Sequence, residues 1–288
     1  MNSPQGVLAI VLEQPAPPLE AVIGAVADQT AGVDAVLAVG GESARDAVGR
    51  AGAELITPAP GWRTAAGLHA GLEVALGRAQ HWLWLLDGTA LPRPDALQHL
   101  LEAAEVDGAL AKPALVASRM VLADGELDAA AAPWPQVNPP GLAIEAYQRG
   151  AVAIRMARHG SLLVARDVVA ARGLPRVDFV SDGDDLEWTG RLLRGALGLY
   201  APRSLVVRQK DAALRADPAR ELRNRTAMLF GPAFDGADLR WLALALAERA
   251  VAEARSGRPL AVLRALAEGV ARGIRGQPAK AVTQPTED

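Results

Sequence analysis

"HWLWLLDGTALPRPDAL", His81 to Leu97, decides how the chain is read. An apolar run stops abruptly at Asp87. A tight Gly88-Thr89 follows, then Pro92 and Pro94, then the start of a helical pattern. A short apolar run closed by turn formers reads as a buried strand. In open α/β sheets ligands bind outside the carboxyl ends of the strands. A lone acid in that position therefore points to a site.

Working outward, similar runs recur on the N-terminal side. "GVLAIVL" (Gly6–Leu12), "VDAVLAVGG" (Val33–Gly41) and "AELI" (Ala53–Ile56) read as strands. Between them lie "PPLEAVIGAVADQT", "ESARDAVGRAG" and "RTAAGLHAGLEVALGRA", which read as helices; the first carries Leu19, Val22, Ile23 and Val26 on one face. Strands alternating with helices predict an α/β fold, a mostly parallel sheet with right-handed crossovers and helices on its faces. Gly40-Gly41 and Asp87-Gly88-Thr89 should then share one edge. Asp107 to Gly150 is less regular, and "AAAAPWPQVNPPGLA" reads as a Pro-rich loop of the length that often carries function. Further on, "HGSLLVARDVVAARGLP" predicts a strand and a short helix. "VDFV" predicts a short strand, and "SDGDDLEWTGRLLRGALGLYAPRSLVVRQ" an acidic turn, a helix and a strand. Asp238–Arg255 and Pro259–Arg275 read as two amphipathic helices.

Composition narrows the class. Of 288 residues, 50% are hydrophobic and 22% charged, so a sizeable core is available. The absence of cysteine excludes disulfides, thiolate metal sites and thiol nucleophiles, and fits a reducing compartment. A formal net charge of −3 gives no footprint for nucleic acid. The N-terminus has no basic leader, and no apolar run reaches the roughly 18 residues of a membrane span. The expectation is a cytoplasmic protein, peripheral on the membrane face if its C-terminal helices bind lipid.

With these elements in place, the chain from about Gly6 to Arg225 resembles the family 2 glycosyltransferases of the GT-A fold. It is most similar to bacterial rhamnosyl- and galactofuranosyltransferase-like enzymes of cell-surface polysaccharide assembly. "WLLDGTALPRPDAL" is similar to that group's strand, triple-aspartate turn and helix start. "HGSLLVARDVVAARGLP" resembles its Gly-Ser segment before the acceptor site. "DGDDLEWTGRLLRGALGLYAPRSLVVR" resembles its Asp-Asp-x-Glu helix and following strand, and "RNR" (Arg223–Arg225) a segment beyond the catalytic domain. The resemblance implies a glycosyltransferase domain over residues 1–210, a helical extension over 211–276 and a disordered tail over 277–288. It implies a nucleotide-sugar donor and a glycan or lipid-linked acceptor, with sugar transferred with inversion. Asp185 matches the family's base, with Asp184, Glu187 and Trp134 on the acceptor side. Asp87, Gly88, Thr89, Gly40, Arg63 and Arg208 fall on the donor side.

The departures carry equal weight. The metal-binding Asp of the family's strand-end turn falls at Thr89, its metal-ligating His at Arg208, and its base-contacting Asp at Gly40. One carboxylate holds Mn²⁺ or Mg²⁺ poorly. No resident metal is therefore expected, and any divalent cation should bind weakly. Arg208, helped by Arg63, is expected to replace the ion, because a guanidinium binds diphosphate oxygens and offsets leaving-group charge. Bland readings stand beside these. Asp87-Gly88 makes an ordinary turn, and acids are favoured at a helix start. Arg208 reads equally as a surface residue. His69 and His159 read as structural, and Trp82 and Trp84 as core residues on opposite faces. The C-terminal helices read equally as packing on the domain or as lying on anionic membrane. The rival to an enzyme is a pseudo-glycosyltransferase acting as a binding or scaffolding subunit.

Overall fold

The computed structural model describes residues 6–14, 18–105, 112–136, 140–179, 183–208 and 217–275. The opening stretch forms β4 (Trp82–Asp87), buried until its last residue. It runs parallel to β1 (Val7–Leu12), with Leu12 opposite Asp87. β2 (Ala35–Val39) and β3 (Glu54–Ile56) extend the parallel half of the sheet. The crossovers are α1 (Leu19–Ala27), a 3₁₀ turn leading into α2 (Arg45–Arg50), and α3 (Thr64–Leu76). The residues α1 buries are Leu19, Val22, Ile23 and Val26, the face its 3.6-residue period marks.

Beyond β4 the sheet is mixed. α4 (Ala96–Ala104) leads toward β6 (Pro113–Leu122), and β9 (Ser161–Ala165) lies antiparallel between β4 and β6. β10 (Leu197–Arg208) runs parallel to β6. β8 (Val152–Met156) and β7 (Trp134–Pro135) close that side antiparallel, and β5 (Ala90–Pro92) pairs with the end of β10. The full order is β3-β2-β1-β4-β9-β6-β10-β8-β7. The four parallel strands at one side are those the alternation predicts.

Three local expectations are corrected. The segment Asp107–Gly150 contains β6, a ten-residue strand, and α5 (Pro140–Gln148). β6 is covered on both faces, so it shows no alternation to read. Helix α5 begins at Pro140, a position where the missing N–H costs nothing. "VDFV" is not a strand: Val177-Asp178 is a turn, Phe179 is buried in the core, and Val180 lies outside the described residues. Trp82 and Trp84 share one core layer with Val7, Ala9 and Val11, as residues two apart on a strand must. Their polar atoms are matched, the Trp84 indole donating to Ser161 Oγ at 3.0 Å.

The C-terminal helices pack on the sheet domain. α8 (Pro218–Met228) is capped by Asp217, whose carboxylate accepts from Ala219 N. α9 (Gly236–Arg255) is tied to β8 through buried Arg155. That guanidinium reaches Asp238 at 2.6 Å and the carbonyls of Gly190 and Ala233, each at 2.6 Å. α10 (Pro259–Arg275) turns small residues onto α8, and a Cβ at Gly269 would stand 2.5 Å from the Arg223 carbonyl. Leu260, Leu263 and Ile274 of α10 face outward, exposed. The tail at 277–288 lies outside the described residues.

Candidate functional site

The carboxyl ends of β1, β2 and β4 meet at one edge, as the parallel half requires. Asp87 closes β4 with an Asx-type turn, its Oδ1 accepting from Thr89 N at 3.1 Å. Gly88 is held against the end of β1: a Cβ there would lie 2.1 Å from the Leu12 carbonyl oxygen. Only glycine allows the turn to pass that closely. Thr89 is buried beneath it, 3% exposed. Gly40 lies on the same edge, and a Cβ there would stand 2.7 Å from Glu13 Oε2. The Glu13 carboxylate accepts from Gly41 N at 2.6 Å. Glu13 thus brings a carboxylate to the position where the sequence shows only glycine. Arg63, the exposed residue before α3, precedes Thr64, which lines a cavity of about 10 Å³ together with Asp87 and His159.

The turn Ala157–Gly160, between β8 and β9, connects this edge to α7 (Asp184–Leu192). Asp87 N donates to Gly160 O at 2.9 Å. On the other side Ala157 N donates to the Thr189 hydroxyl at 3.1 Å, and that hydroxyl lies 2.9 Å from Ala157 O. Helix α7 starts at Gly183, in left-handed backbone with φ 109°, and its first acids are folded inward. Asp184 and Asp185 are 5% and 7% exposed. Asp184 Oδ2 faces His159 Nε2 at 3.5 Å. Asp185 Oδ1 accepts from Leu186 N at 2.8 Å, and its Oδ2 meets the Arg158 guanidinium at 3.7 Å. Arg225 of α8, from the "RNR" segment, lies close enough for its charge to act on Asp185.

Charge in the site follows from burial and pairing. Burial works against a charged His159; the hydrogen bond and charge of Asp184, then Asp185 and Asp87, outweigh it and hold the imidazole above its ordinary value. Burial raises the Asp184 carboxyl, opposed by His159.

The structure brings Asp87, Thr89, Asp184, Asp185 and Arg208 around one turn, and it sets two expected residues aside. Glu187 is corrected from a sugar contact to a structural residue. Its oxygens hold Arg191 at 3.0 and 3.1 Å, and Arg191 also donates to the carbonyls of Arg172 and Leu174. At 1% side-chain exposure it has no face for a ligand. Trp134 is not on an open loop. It lies in β7 with its ring edge-on to Trp241 of α9, centroids 4.0 Å apart. Arg208 is also less free than its position suggests: it lies opposite Ala90, ion-paired to Asp128 at 2.8 Å, and donates to the His159 carbonyl at 3.4 Å. His159, read as structural, is buried and faces Asp184, a pairing that the sequence does not show.

This donor set does not suit a divalent cation. One Asp87 oxygen is spent on Thr89 N, Thr89 is buried, and the cation next to the turn is a guanidinium. Among the described residues no group of three His, Asp or Glu side chains is arranged to hold a metal.

No protein-family model matches the sequence, and no curated protein matches it in sequence. Solved structures match it in shape. GalNAc-T7, solved with UDP, GalNAc and Mn²⁺, gives a TM-score of 0.58 at 10% identity, over 78% of this chain and 48% of that one. S. aureus TarS gives 0.56 at 8% identity, over 85% of this chain and 43% of that one. The fold is the GT-A fold. At these identities the likeness concerns fold alone, and the chain spans less than half the length of either neighbour. No helix among the described residues is long and apolar enough to cross a membrane.

Proposed function

We propose that the chain is an inverting glycosyltransferase of the family 2 type. It moves a sugar from a nucleotide-sugar to a cell-surface glycan or its lipid-linked precursor. The observation that carries this reading is the meeting of Asp87, at the end of β4, with Asp184 and Asp185, at the start of α7, around the turn Ala157–Gly160 of a GT-A fold. Asp185 is the base. It takes the acceptor hydroxyl's proton while that oxygen attacks the anomeric carbon and the nucleoside diphosphate departs with the electrons of the old glycosidic bond. Asp185 Oδ2 has only a long contact with Arg158, which leaves a lone pair for the proton. Asp184 sits beside it on the acceptor side. Asp87, Gly40 and Glu13 form the donor edge, and Arg63 stands exposed at the N-terminus of α3. Arg208 meets the diphosphate, with its charge shared with Asp128. No metal takes part in this mechanism, since the donor set does not fit one.

In this reading residues 1–210 are the transferase domain and 211–276 an extension, whose helices α8, α9 and α10 pack on it. The exposed Leu260, Leu263 and Ile274, flanked by Arg264 and Arg275, suit a peripheral location on the cytoplasmic membrane face. The pseudo-enzyme reading draws on a specific observation too: Glu187 and Arg208 both spend their charge inside the protein. Calorimetry with a panel of nucleotide-sugars, with and without Mn²⁺, separates the two. The enzyme reading expects one donor to bind at micromolar to millimolar concentration with or without the ion. Failure of all donors to bind would favour the scaffold.

A further inference from the structure

The turn Ala157–Gly160 presents two consecutive basic residues, Arg158 and His159, to two consecutive acids at the start of α7. We propose that His159 is a positioning residue: its ring, facing Asp184 from a turn tied to Asp87, locks the start of α7 to the end of β4 and so holds Asp185 in place for its role as base. The last clause rests on the function proposed above; the locking pair does not.

The geometry supports the pair directly. His159 Nε2 and Asp184 Oδ2 are both buried, and neither has a hydrogen-bond partner other than the facing atom 3.5 Å away. A buried carboxylate and a buried imidazole left separately unpaired are each costly. Facing each other they compensate as an imidazolium–carboxylate pair. The same turn is fixed at both ends, by Asp87 N to Gly160 O on the β4 side and by Thr189 on the α7 side. The charge on His159 is thereby held at a set place relative to all three acids.

Among the described residues, four charged groups lie around the ring. They are Asp87 from β4, Asp184 and Asp185 from α7, and Arg158 beside it in the turn. Arg208 of β10 reaches the His159 carbonyl and is neutralised by Asp128. The Trp188 ring lies 6.3 Å from the imidazole, centroid to centroid. Three acids against one imidazole favour its charged form. His159 therefore acts on Asp185 through its neighbour Asp184, without touching substrate.

The test begins with the full chain, isotope-labelled on histidine, titrated by imidazole NMR. The four histidines are assigned through bonds to their own backbone amides in the unmodified chain, and His159→Gln confirms the resonance in question. His159 is expected to hold its proton above the ordinary 6.5. Asp184→Asn should bring its midpoint down by about one unit or more. A midpoint at or below 6.5 in the unmodified protein, or one that Asp184→Asn leaves in place, would overturn the proposal. The titration of the unmodified chain decides even if the variants fail to fold. The second arm is turnover with the donor identified by calorimetry. His159→Gln, which removes the charge from the pair, should lower kcat by about tenfold or more at little change in donor KM, and His159→Lys should restore part of it. An unchanged kcat in a folded His159→Gln protein would refute the proposal. If the unmodified protein transfers no sugar, the proposed function fails, while the titration still decides the pair.

Discussion

Replacing Glu187 by alanine tests the structural assignment of that residue. The side chains of Glu187 and Arg191 are 1% and 5% exposed, and two hydrogen bonds of 3.0 and 3.1 Å join them. Glu187→Ala leaves the Arg191 guanidinium buried, with only the Arg172 and Leu174 carbonyls as partners. Removing one partner of a buried pair typically costs about 3–5 kcal/mol. That is a large fraction of the roughly 5–15 kcal/mol by which a domain is stable. At about 2–4 °C per kcal/mol for a chain of this size, the melting temperature should fall by roughly 6–20 °C. The assay is urea unfolding followed by circular dichroism, with the midpoint lowered and the slope unchanged. Arg203→Ala is the control. Its ion pair with Glu102, at 3.3 Å, is 72% and 44% exposed, so the change should cost at most about 1 kcal/mol. A Glu187→Ala protein that unfolds at the unmodified midpoint would refute the assignment and return Glu187 to the ligand site.

Gly88→Ala puts a methyl group 2.1 Å from the Leu12 carbonyl oxygen, so the turn must move. Unfolding should show a loss of about 1–3 kcal/mol, and donor affinity should fall with it. Arg208→Ala should weaken binding of a nucleoside diphosphate more than of the nucleoside, whereas Asp128→Asn, which frees the guanidinium, should strengthen the diphosphate; equal effects on both ligands would remove Arg208 from the donor site. The pH dependence of stability has a definite sign. The folded values of His159 and Asp184 both lie above their ordinary ones, so the folded state binds the protons more tightly. The His159 contribution is complete below about pH 6.5 and is lost as pH rises through its folded value. The urea midpoint should fall across that window, and less so in His159→Gln; a midpoint rising there would contradict the signs.

The sequence was most legible where one signal sufficed. β1 to β4 carried short apolar runs bounded by polar or turn-forming residues, and α1 buried the face its period marked. It was least legible where burial on both faces erased the alternation, as in β6, and where proline looked like a loop but opened α5. Within the site, Asp87, Asp184 and Asp185 were readable because acids at a strand end or helix start stand out. Glu187 was misread because an i, i+4 partner, Arg191, explains it without a ligand, and the spacing alone does not say which way the pair faces. The surroundings of His159 were not legible because Asp184 and Asp87 reach its turn only through the fold. The partner of Arg208 was not legible, because Asp128 lies in the segment where the pattern could not be read.

The most direct test of the central claim is single-turnover transfer by Asp185→Asn. The substitution keeps shape and hydrogen bonding at the start of α7 and removes the basicity. Loss of a positioned base typically costs about 10²- to 10⁴-fold in rate. Turnover should fall by that order while nucleotide-sugar affinity stays nearly unchanged. A variant that transfers sugar at the unmodified rate would contradict Asp185 as the base, and an unmodified protein that binds no nucleotide-sugar at millimolar concentration would contradict glycosyl transfer itself.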